Sequence, residues 1–396
     1  MIDIGQQAIQ LHEENQGKLE TTSKVSLTNT HDLSLFYTPG VGAVSRLIAE
    51  DPTRAQELTL SGRTVAIVSD GSAVLGLGSI GPQAALPVME GKALLIKHFA
   101  GLDSFPLVIS AKQPADVVSF VKQVAPTFFA INLEDIKAPN CFEIEEALQG
   151  IGIPVFHDDQ HGTAIVVAAA LRNVAKVVKK PYENLRVGIV GAGAAGLAIA
   201  KMLLGANCEA SSCSFVDGLP RVRDLVVFDS HGALVRGRAG LNVYKQAVAG
   251  ISNQEQREGS PESALEGFDV VIGVSGPGSI TPTIVQNMAD KAVVFALANP
   301  DPEIMPDTAK KAGAFVVATG RSDFPNQINN VLVFPAVFKI AQELHLKTIS
   351  LEVKLALVES LASLVQKPSI DEIIPSPFYP DLVPKLVQLV RKKLGR

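Results

Sequence analysis

Two pairs of acidic residues stand where a parallel sheet would present its ligands. Asn132-Leu133-Glu134-Asp135 follows the apolar run FFAI, and His157-Asp158-Asp159-Gln160-His161 follows IPVF and leads into a helix-forming stretch. Carboxylates at the carboxyl ends of two neighbouring strands can converge on a hard divalent cation, Mg²⁺ or Mn²⁺. One pair alone reads equally well as a helix N-cap; two pairs in one chain favour the metal. His157 and His161 are spaced i, i+4 but straddle a loop-to-helix boundary, so zinc ligation is the weaker reading. Two more residues could move protons. Lys92 follows Met89-Glu90-Gly91 and leads into the apolar stretch ALLIK, and Tyr37 precedes the turn Pro39-Gly40. A half-buried lysine loses basicity and can act as a base. Position alone does not separate these roles from a snorkelling lysine and a packed surface tyrosine.

The pattern GxGxxG occurs twice. Gly191-Ala192-Gly193-Ala194-Ala195-Gly196 follows the strand-like LRVGIV and opens the helix-like AAGLAIAKMLL, which is the context a dinucleotide fingerprint requires. Gly191 would make the tight turn, Gly193 would admit the pyrophosphate, and Gly196 would let helix and strand approach. The helix N-terminus at Ala194 and Ala195 would offer its N–H groups to the phosphates. The earlier copy, Gly76 to Gly81, trails its strand and runs into Pro82, so it is read as a turn shaping a pocket wall. An NAD site wants an acidic residue at the end of the second strand, about 20 residues on. The strand LVVF ends at Asp229, well beyond that interval, and an insertion around Cys208–Arg223 would account for the excess. Asp217 has better spacing but sits in a Gly/Pro-flanked stretch, so Asp229 is preferred. Arg236 and Arg238 lie close enough to meet a 2′-phosphate, which admits NADP as well.

These groups need a scaffold, and the composition supplies one. The chain of 396 residues is 47% hydrophobic and 19% charged, which gives ample core and argues against disorder. Val/Ile runs bounded by Gly, Pro, Asp or Asn recur (TVAIVS, FFAINL, LRVGIV, LVVF, VVIGV, VVFALA, AFVVA) with helical stretches between most of them, the pattern of parallel sheets covered by helices. Gly162–Lys180 reads as one long helix connecting two domains, 1–160 and 161–396, and the leucine-rich tail from Ser350 should pack back on the body. A net charge of −5 leaves no electrostatic footprint for nucleic acid or an anionic membrane. Cys141, Cys208 and Cys213 are too few for a secreted disulfide scaffold. The N-terminus is polar and mixed in charge, unlike a signal peptide. The best apolar run, Val187 to Ala200, is short of a membrane span and broken by glycines. A soluble cytoplasmic protein is expected.

Taken together, the segments LSLFYTPGV, VAIVSDGSAVLGLGSIGPQAALPVMEGK, FFAINLEDI, IPVFHDDQHGTA, VGAGAAGLAIA, FALANPDP and NQINNVLVFPA resemble malic enzyme in its short bacterial form, over nearly the whole chain and in the family's order. The resemblance implies an N-terminal malic-enzyme α/β domain and a Rossmann-type, doubly wound NAD(P)-binding domain, with the active site in the cleft between them. It implies oxidative decarboxylation of (S)-malate to pyruvate and CO₂, with NAD or NADP and Mg²⁺ or Mn²⁺. Tyr37 and Lys92 match the family's catalytic tyrosine and lysine, and Asp158 the aspartate that hydrogen-bonds the lysine. Glu134, Asp135 and Asp159 match the metal carboxylates. Asn299 matches a malate-binding asparagine, and a second falls on Asn329 or Asn330. Lys92 would be neutral beside the cation. A homodimer is implied, in which Tyr37 could reach a neighbouring subunit's cleft. One departure is the segment Asp70-Gly71-Ser72-Ala73-Val74, which lacks the carboxylate-binding arginine of the long enzymes. Oxaloacetate decarboxylation is an expected partial activity. The rivals are a malolactic enzyme releasing lactate and a non-catalytic nucleotide-binding regulatory module.

Overall fold

The Val/Ile runs form strands buried on both faces, as parallel sheets require. The structure, a computed structural model, describes residues 4–209 and 212–396. In chain order the strands are β1 (Thr64–Ser69), β2 (Asp103–Val108), β3 (Ala130–Leu133), β4 (Val155–His157), β5 (Arg186–Val190), β6 (Ala206–Glu209), β7 (Ser212–Phe215), β8 (Asp224–Asp229), β9 (Gly232–Ala233), β10 (Val270–Gly273), β11 (Val293–Ala296) and β12 (Val316–Thr319). The first sheet has the order β2-β1-β3-β4 and is parallel throughout. The second has the order β12-β11-β10-β5-β8-β9, parallel except for the short edge strand β9. Each sheet therefore reverses its winding beside its first strand, between β1 and β3 and between β5 and β10. In doubly wound sheets, ligands bind at such points, outside the carboxyl ends of the strands.

One helix joins the two sheets. A π-helical turn, Asp158–Gly162, runs directly into the helix Thr163–Val178, which Lys179 closes in the left-handed conformation. This segment, and not Val187–Ala200, is the long apolar run of the chain. Asp158–Val178 spans 21 residues and is apolar enough to cross a membrane. Every residue from Ala164 to Leu171 is nevertheless buried inside the protein, so its apolarity serves the core. The helices Ala194–Leu203 and Leu351–Ser363 pack against it. The tail does return to the body: its last helix, Leu382–Lys393, lies on Leu351–Ser363, Phe334–Glu343 and Pro82–Ala100.

Two regions stand apart. The insertion after the fingerprint helix is the antiparallel hairpin β6–β7, with Cys208 opposite Cys213 in a disulfide; residues 210 and 211 of it lie outside the described residues. This is one local cross-link, not a scaffold. At the other extreme, no described residue before Ser61 is buried, although that stretch carries Ile4, Ile9, Leu11, Leu27, Leu35 and Phe36, all exposed.

Candidate active site

The site is assembled from loops at the carboxyl ends of β1, β3 and β4. After β1, Asp70 Oδ1 accepts from the backbone N–H and the hydroxyl of Ser72, at 3.0 and 2.6 Å. That turn then grips the loop after β3. Ala73 N–H donates to the Asp135 carbonyl at 2.9 Å, and Lys137 N–H donates to Ser72 Oγ at 2.9 Å. The DGSAV segment without arginine thus holds Asp135 in a left-handed conformation, φ 54°, which costs a non-glycine residue about 1–2 kcal/mol. The Asp135 N–H in turn donates to Asp159 Oδ2 at 2.9 Å, which ties the β3 loop to the π-helical turn after β4.

Lys92 reaches this point from the middle of the helix Pro82–Ala100. Its ammonium lies 2.8 Å from Glu134 Oε1, 2.5 Å from Asp158 Oδ2 and 4.5 Å from the centre of the Phe334 ring. Burial first, then mutual repulsion, pushes the pKa of Glu134 up to about 7 and that of Asp135 to about 8. Burial and Glu134 push Asp158 to about 7, and Asp159 is raised by burial and by Asp158. For Lys92, burial pulls the pKa down, but Asp158, Glu134 and Asp159 outweigh it and hold the amine protonated. Four carboxylates crowd one ammonium, and their raised pKa values show that the group holds onto protons for want of a second positive charge. The expected neutral lysine therefore depends on a cation supplying that charge.

The donor set fits such a cation. Glu134, Asp135 and Asp159 each offer an oxygen, all within 4.8 Å of one another, and Asp135 Oδ2 is buried with no hydrogen-bond partner. An all-oxygen set suits Mg²⁺ or Mn²⁺. The two histidines do not join it. His161 Nε2 lies 2.7 Å from Glu145 Oε1. His157 is wholly buried with neither ring nitrogen bonded, and burial drives its pKa down to about 4. Glu145, absent from the sequence reading, also accepts from Gln160 Nε2 at 3.0 Å and so anchors the turn that carries Asp158 and Asp159. Its only sequence signal is a glutamate on the i, i+3, i+4, i+7 stripe of Cys141, Ile144 and Leu148.

The fingerprint turn sits at the reversal point of the second sheet. A Cβ on Gly196 would lie 1.8 Å from the Gly191 carbonyl oxygen, and one on Gly191 (φ 124°) 2.5 Å from the Val274 carbonyl oxygen; a Cβ on Gly193 would meet nothing within 4 Å. Two glycines are thus demanded by close packing, while the third faces open space at the N-terminus of the helix that Ala194 and Ala195 begin. That cradle fits a dinucleotide pyrophosphate. Gly191 N–H donates to the Phe228 carbonyl at 2.9 Å, so Asp229, one residue on, stands beside the fingerprint. Asp217 is exposed, in the stretch after β7 and outside this sheet.

The asparagines come from the same sheet. Asn299 follows β11, and its carboxamide lies over Gly320, where an added Cβ would sit 2.6 Å from Asn299 Nδ2. Asn329 Nδ2 donates to the Gly320 carbonyl at 3.3 Å, while its Oδ1 caps the following turn at Val331 N–H. Asn330 lies against Gly162, beneath Asp158. The earlier glycine turn meets this group from the first sheet: a Cβ on Gly76 would be 2.6 Å from the Asn299 carbonyl oxygen. Glu303, also absent from the sequence reading, is fully buried and ties the loops after β10 and β11 by accepting from Ser275 N–H at 2.8 Å and Ala298 N–H at 3.0 Å. Tyr37 is not part of the cluster. It is 63% exposed on the N-terminal segment and makes no hydrogen bond to Lys92 or the carboxylates.

Comparison with known proteins matches residues 16–116 to the malic enzyme N-terminal domain and residues 160–385 to the malic enzyme NAD binding domain. The chain is 48% identical to the bifunctional malic/malolactic enzyme of Bacillus subtilis, over 99% of this chain and 93% of that one. It is 45% identical to the NADP-dependent malic enzyme of Halomonas elongata, over 89% of this chain and 80% of that one. The crystal structure of the NAD-dependent malic enzyme of Thermotoga maritima superposes with a TM-score of 0.90 at 44% identity, covering 99% of each chain. A sheet that gathers buried carboxylates round a lysine, set beside a dinucleotide-binding sheet, thus carries the sequence and fold of known enzymes along its whole length, and the chain belongs to the malic enzyme family.

Proposed function

We propose that this enzyme converts (S)-malate to pyruvate and CO₂ at the Lys92 cluster, with residues 1–160 supplying the carboxylates and lysine and residues 161–396 the NAD(P) site. The observation that carries this is the buried ion-pair group of Lys92, Glu134 and Asp158 beside Asp135 and Asp159. Lys92, once its charge partners turn to a cation, takes the proton from the C2 hydroxyl as general base. Asp158 holds that amine in place and receives it again when it is charged. Glu134, Asp135 and Asp159 would hold the divalent cation. When bound, the cation would supply Lewis-acid stabilisation of negative charge on the substrate oxygen, and a dinucleotide held at the Gly191–Gly196 turn would supply the hydride acceptor. Asn299 and Asn330 orient the malate carboxylates; Asn329 is less available because its Oδ1 already caps a turn. Tyr37 protonates C3 of the enol, a general-acid step worth about 10²–10⁴ in rate.

Tyr37 needs a second copy of the chain for that role. The described stretch 4–60, with no residue buried and a series of exposed leucines, isoleucines and a phenylalanine, supports a homodimer in which this segment packs on a neighbour, since exposed apolar patches of that kind mark association surfaces. A cytoplasmic location belongs to the same reading. Because a relative that covers nearly the whole chain is bifunctional malic/malolactic, lactate release is the second reading. The test is to supply malate and Mn²⁺ with NAD⁺ or NADP⁺ and measure reduced cofactor and pyruvate in the same sample. Equal amounts of the two support malate oxidation, lactate without net cofactor reduction supports the malolactic reading, and neither product with either cofactor refutes both. Oxaloacetate decarboxylation is assayed alongside.

A further inference from the structure

Glu303 is wholly buried and has no cation beside it. It lies in the loop after β11, with its side chain folded over the end of β10. A Cβ on Gly273, the last residue of β10, would sit 2.6 Å from Glu303 Cγ and 2.5 Å from its Cδ, so glycine there makes room for the glutamate. The carboxylate takes one backbone N–H from each loop, Ser275 on Oε1 and Ala298 on Oε2, and the Glu303 carbonyl accepts from Gly278 N–H at 2.9 Å. Burial pushes its pKa up, and the N–H groups of Ala298, Ser275, Glu303 and Leu297 pull it back. Arg321 reaches the same loop, but it donates to the Pro300 carbonyl and pairs with Asp323. Backbone dipoles stabilise a buried carboxylate and leave its net charge in place.

The position of that charge is informative. The fingerprint glycines sit where the second sheet reverses, and the acidic end of β8 marks the side on which an adenosine ribose belongs. A dinucleotide spread across the reversal puts its nicotinamide half on the other side, over the carboxyl ends of β10 and β11. Those are the two loops that Glu303 joins. The β10 loop has room above it, since a Cβ on Gly276 would meet nothing within 4 Å. In a trans peptide unit the carbonyl points opposite to the N–H. By drawing in the N–H groups of Ser275 and Ala298, the carboxylate therefore turns the Val274 carbonyl toward Gly191 and the Leu297 carbonyl toward Gly320. The carboxylate and both carbonyls contribute negative potential to this corner. An oxidised nicotinamide ring carries one positive charge, and a reduced ring carries none.

We propose that Glu303 is a specificity-determining residue for the redox state of the cofactor: its buried negative charge favours the oxidised nicotinamide over the reduced one, so that the reduced cofactor is released more readily. This rests on the reading that the Gly191–Gly196 fingerprint holds the dinucleotide. At the effective dielectric constant of about 20 usual for proteins, one unit charge acting on another at about 10 Å changes an equilibrium by roughly tenfold.

Calorimetric titration without malate tests it without turnover, at about pH 8, well above the ordinary carboxylate range. NAD⁺ is compared with NADH, and NADP⁺ with NADPH; the pair that binds more tightly is the one read. The unaltered enzyme holds the oxidised form more tightly than the reduced form. Glu303→Gln removes the charge with little change of shape and weakens the oxidised form by roughly tenfold relative to the reduced form. Glu303→Asp keeps the charge, so it keeps the preference even where lost contacts weaken both forms. A folding defect weakens both forms together and leaves their ratio alone; melting temperatures of the variants check this directly. An unchanged ratio in Glu303→Gln overturns the proposal. So does an unaltered enzyme that binds the reduced form more tightly, a comparison that needs no variant to fold. An enzyme that binds no dinucleotide removes the fingerprint reading, and the proposal with it.

Discussion

Gly162→Ala adds one methyl group to the turn that carries two of the site's carboxylates, and its cost follows from the packing. Gly162 has ordinary helical angles, φ −60° and ψ −49°, so alanine brings no backbone strain. Its Cβ, however, would sit 1.9 Å from Asp158 Oδ1 and 3.2 Å from Asn330 Cβ. Ordinary contact between such atoms is about 3.5 Å, so the carboxylate must retreat by about 1.5 Å. Asp158 has nowhere to go: it is fully buried and its other oxygen is bonded to Lys92. Either that bond breaks or the π-helical turn opens and moves Asp159. Displacing a catalytic group by about 1 Å can cost 10²-fold, so kcat for malate should fall by about 10², or about 2.7 kcal/mol. Stability should fall by the 1–3 kcal/mol typical of overpacking. The assay is steady-state malate oxidation at saturating cofactor and Mn²⁺, with the melting temperature measured beside it. Gly91→Ala is the control: it is next to Lys92, but its Cβ would meet nothing within 4 Å. A Gly162→Ala enzyme with kcat within about threefold of the unaltered one would refute this reasoning.

Three further outcomes follow from the same site. Lys92→Ala should abolish malate oxidation while Mn²⁺ binding is kept or tightened, because removing the ammonium leaves the three ligand carboxylates intact; Mn²⁺ paramagnetic resonance reads the binding, and lost Mn²⁺ affinity would contradict the assignment. Tyr37→Phe should lower kcat by about 10²–10⁴ with a much smaller change in malate KM; unchanged turnover, or a fully active monomer in sedimentation, would end the reading of Tyr37 as a proton donor from a second subunit. With no metal, the pKa values of Glu134 and Asp158 near 7 and Asp135 near 8 lie above the roughly 4 of the unfolded chain. The native state then binds more protons than the unfolded state, so stability falls as pH rises through that window. His157 and His161, whose pKa values are lowered to about 4, bind fewer protons in the native state and work the other way below about pH 6.5, so the metal-free melting temperature should drop most clearly between about pH 6.5 and pH 8, and the stabilisation gained on adding Mn²⁺ should grow over the same range. A flat metal-free profile would count against the crowded-carboxylate picture.

The fold class was legible because its signals are local. Val/Ile runs with turn residues at their ends can satisfy their backbone and bury both faces only in a covered parallel sheet. The fingerprint at Gly191–Gly196 was legible for a related reason: strand, turn and helix are contiguous, and the close approaches that demand glycine occur between neighbours in sequence. The acidic pairs were visible as pairs, and their placement after strands told which edge they would occupy. Glu145 and Glu303 were not visible. A glutamate on an apolar helix stripe or in a proline-rich loop carries no local mark, and its partners, Gln160 and His161 in one case and Ser275 and Ala298 in the other, lie far enough away in sequence or loop geometry that only the folded chain brings them together. The apolar helix Asp158–Val178 is masked as a long hydrophobic run by the two carboxylates that lead it.

The sequence by itself determined which chemistry was available: the carboxylates, the lysine, the tyrosine, the glycine turn and the strands that carry them. Tertiary structure alone decided how those groups bear on one another. It set Lys92 between Glu134 and Asp158, engaged Asp229 with Arg238 and Lys245, and left Tyr37 on an exposed segment away from the cluster. The physical reason is that residue type and local spacing fix what a group can do, whereas burial and the charge of distant neighbours, which fix its protonation and its partners, exist only once the chain has folded.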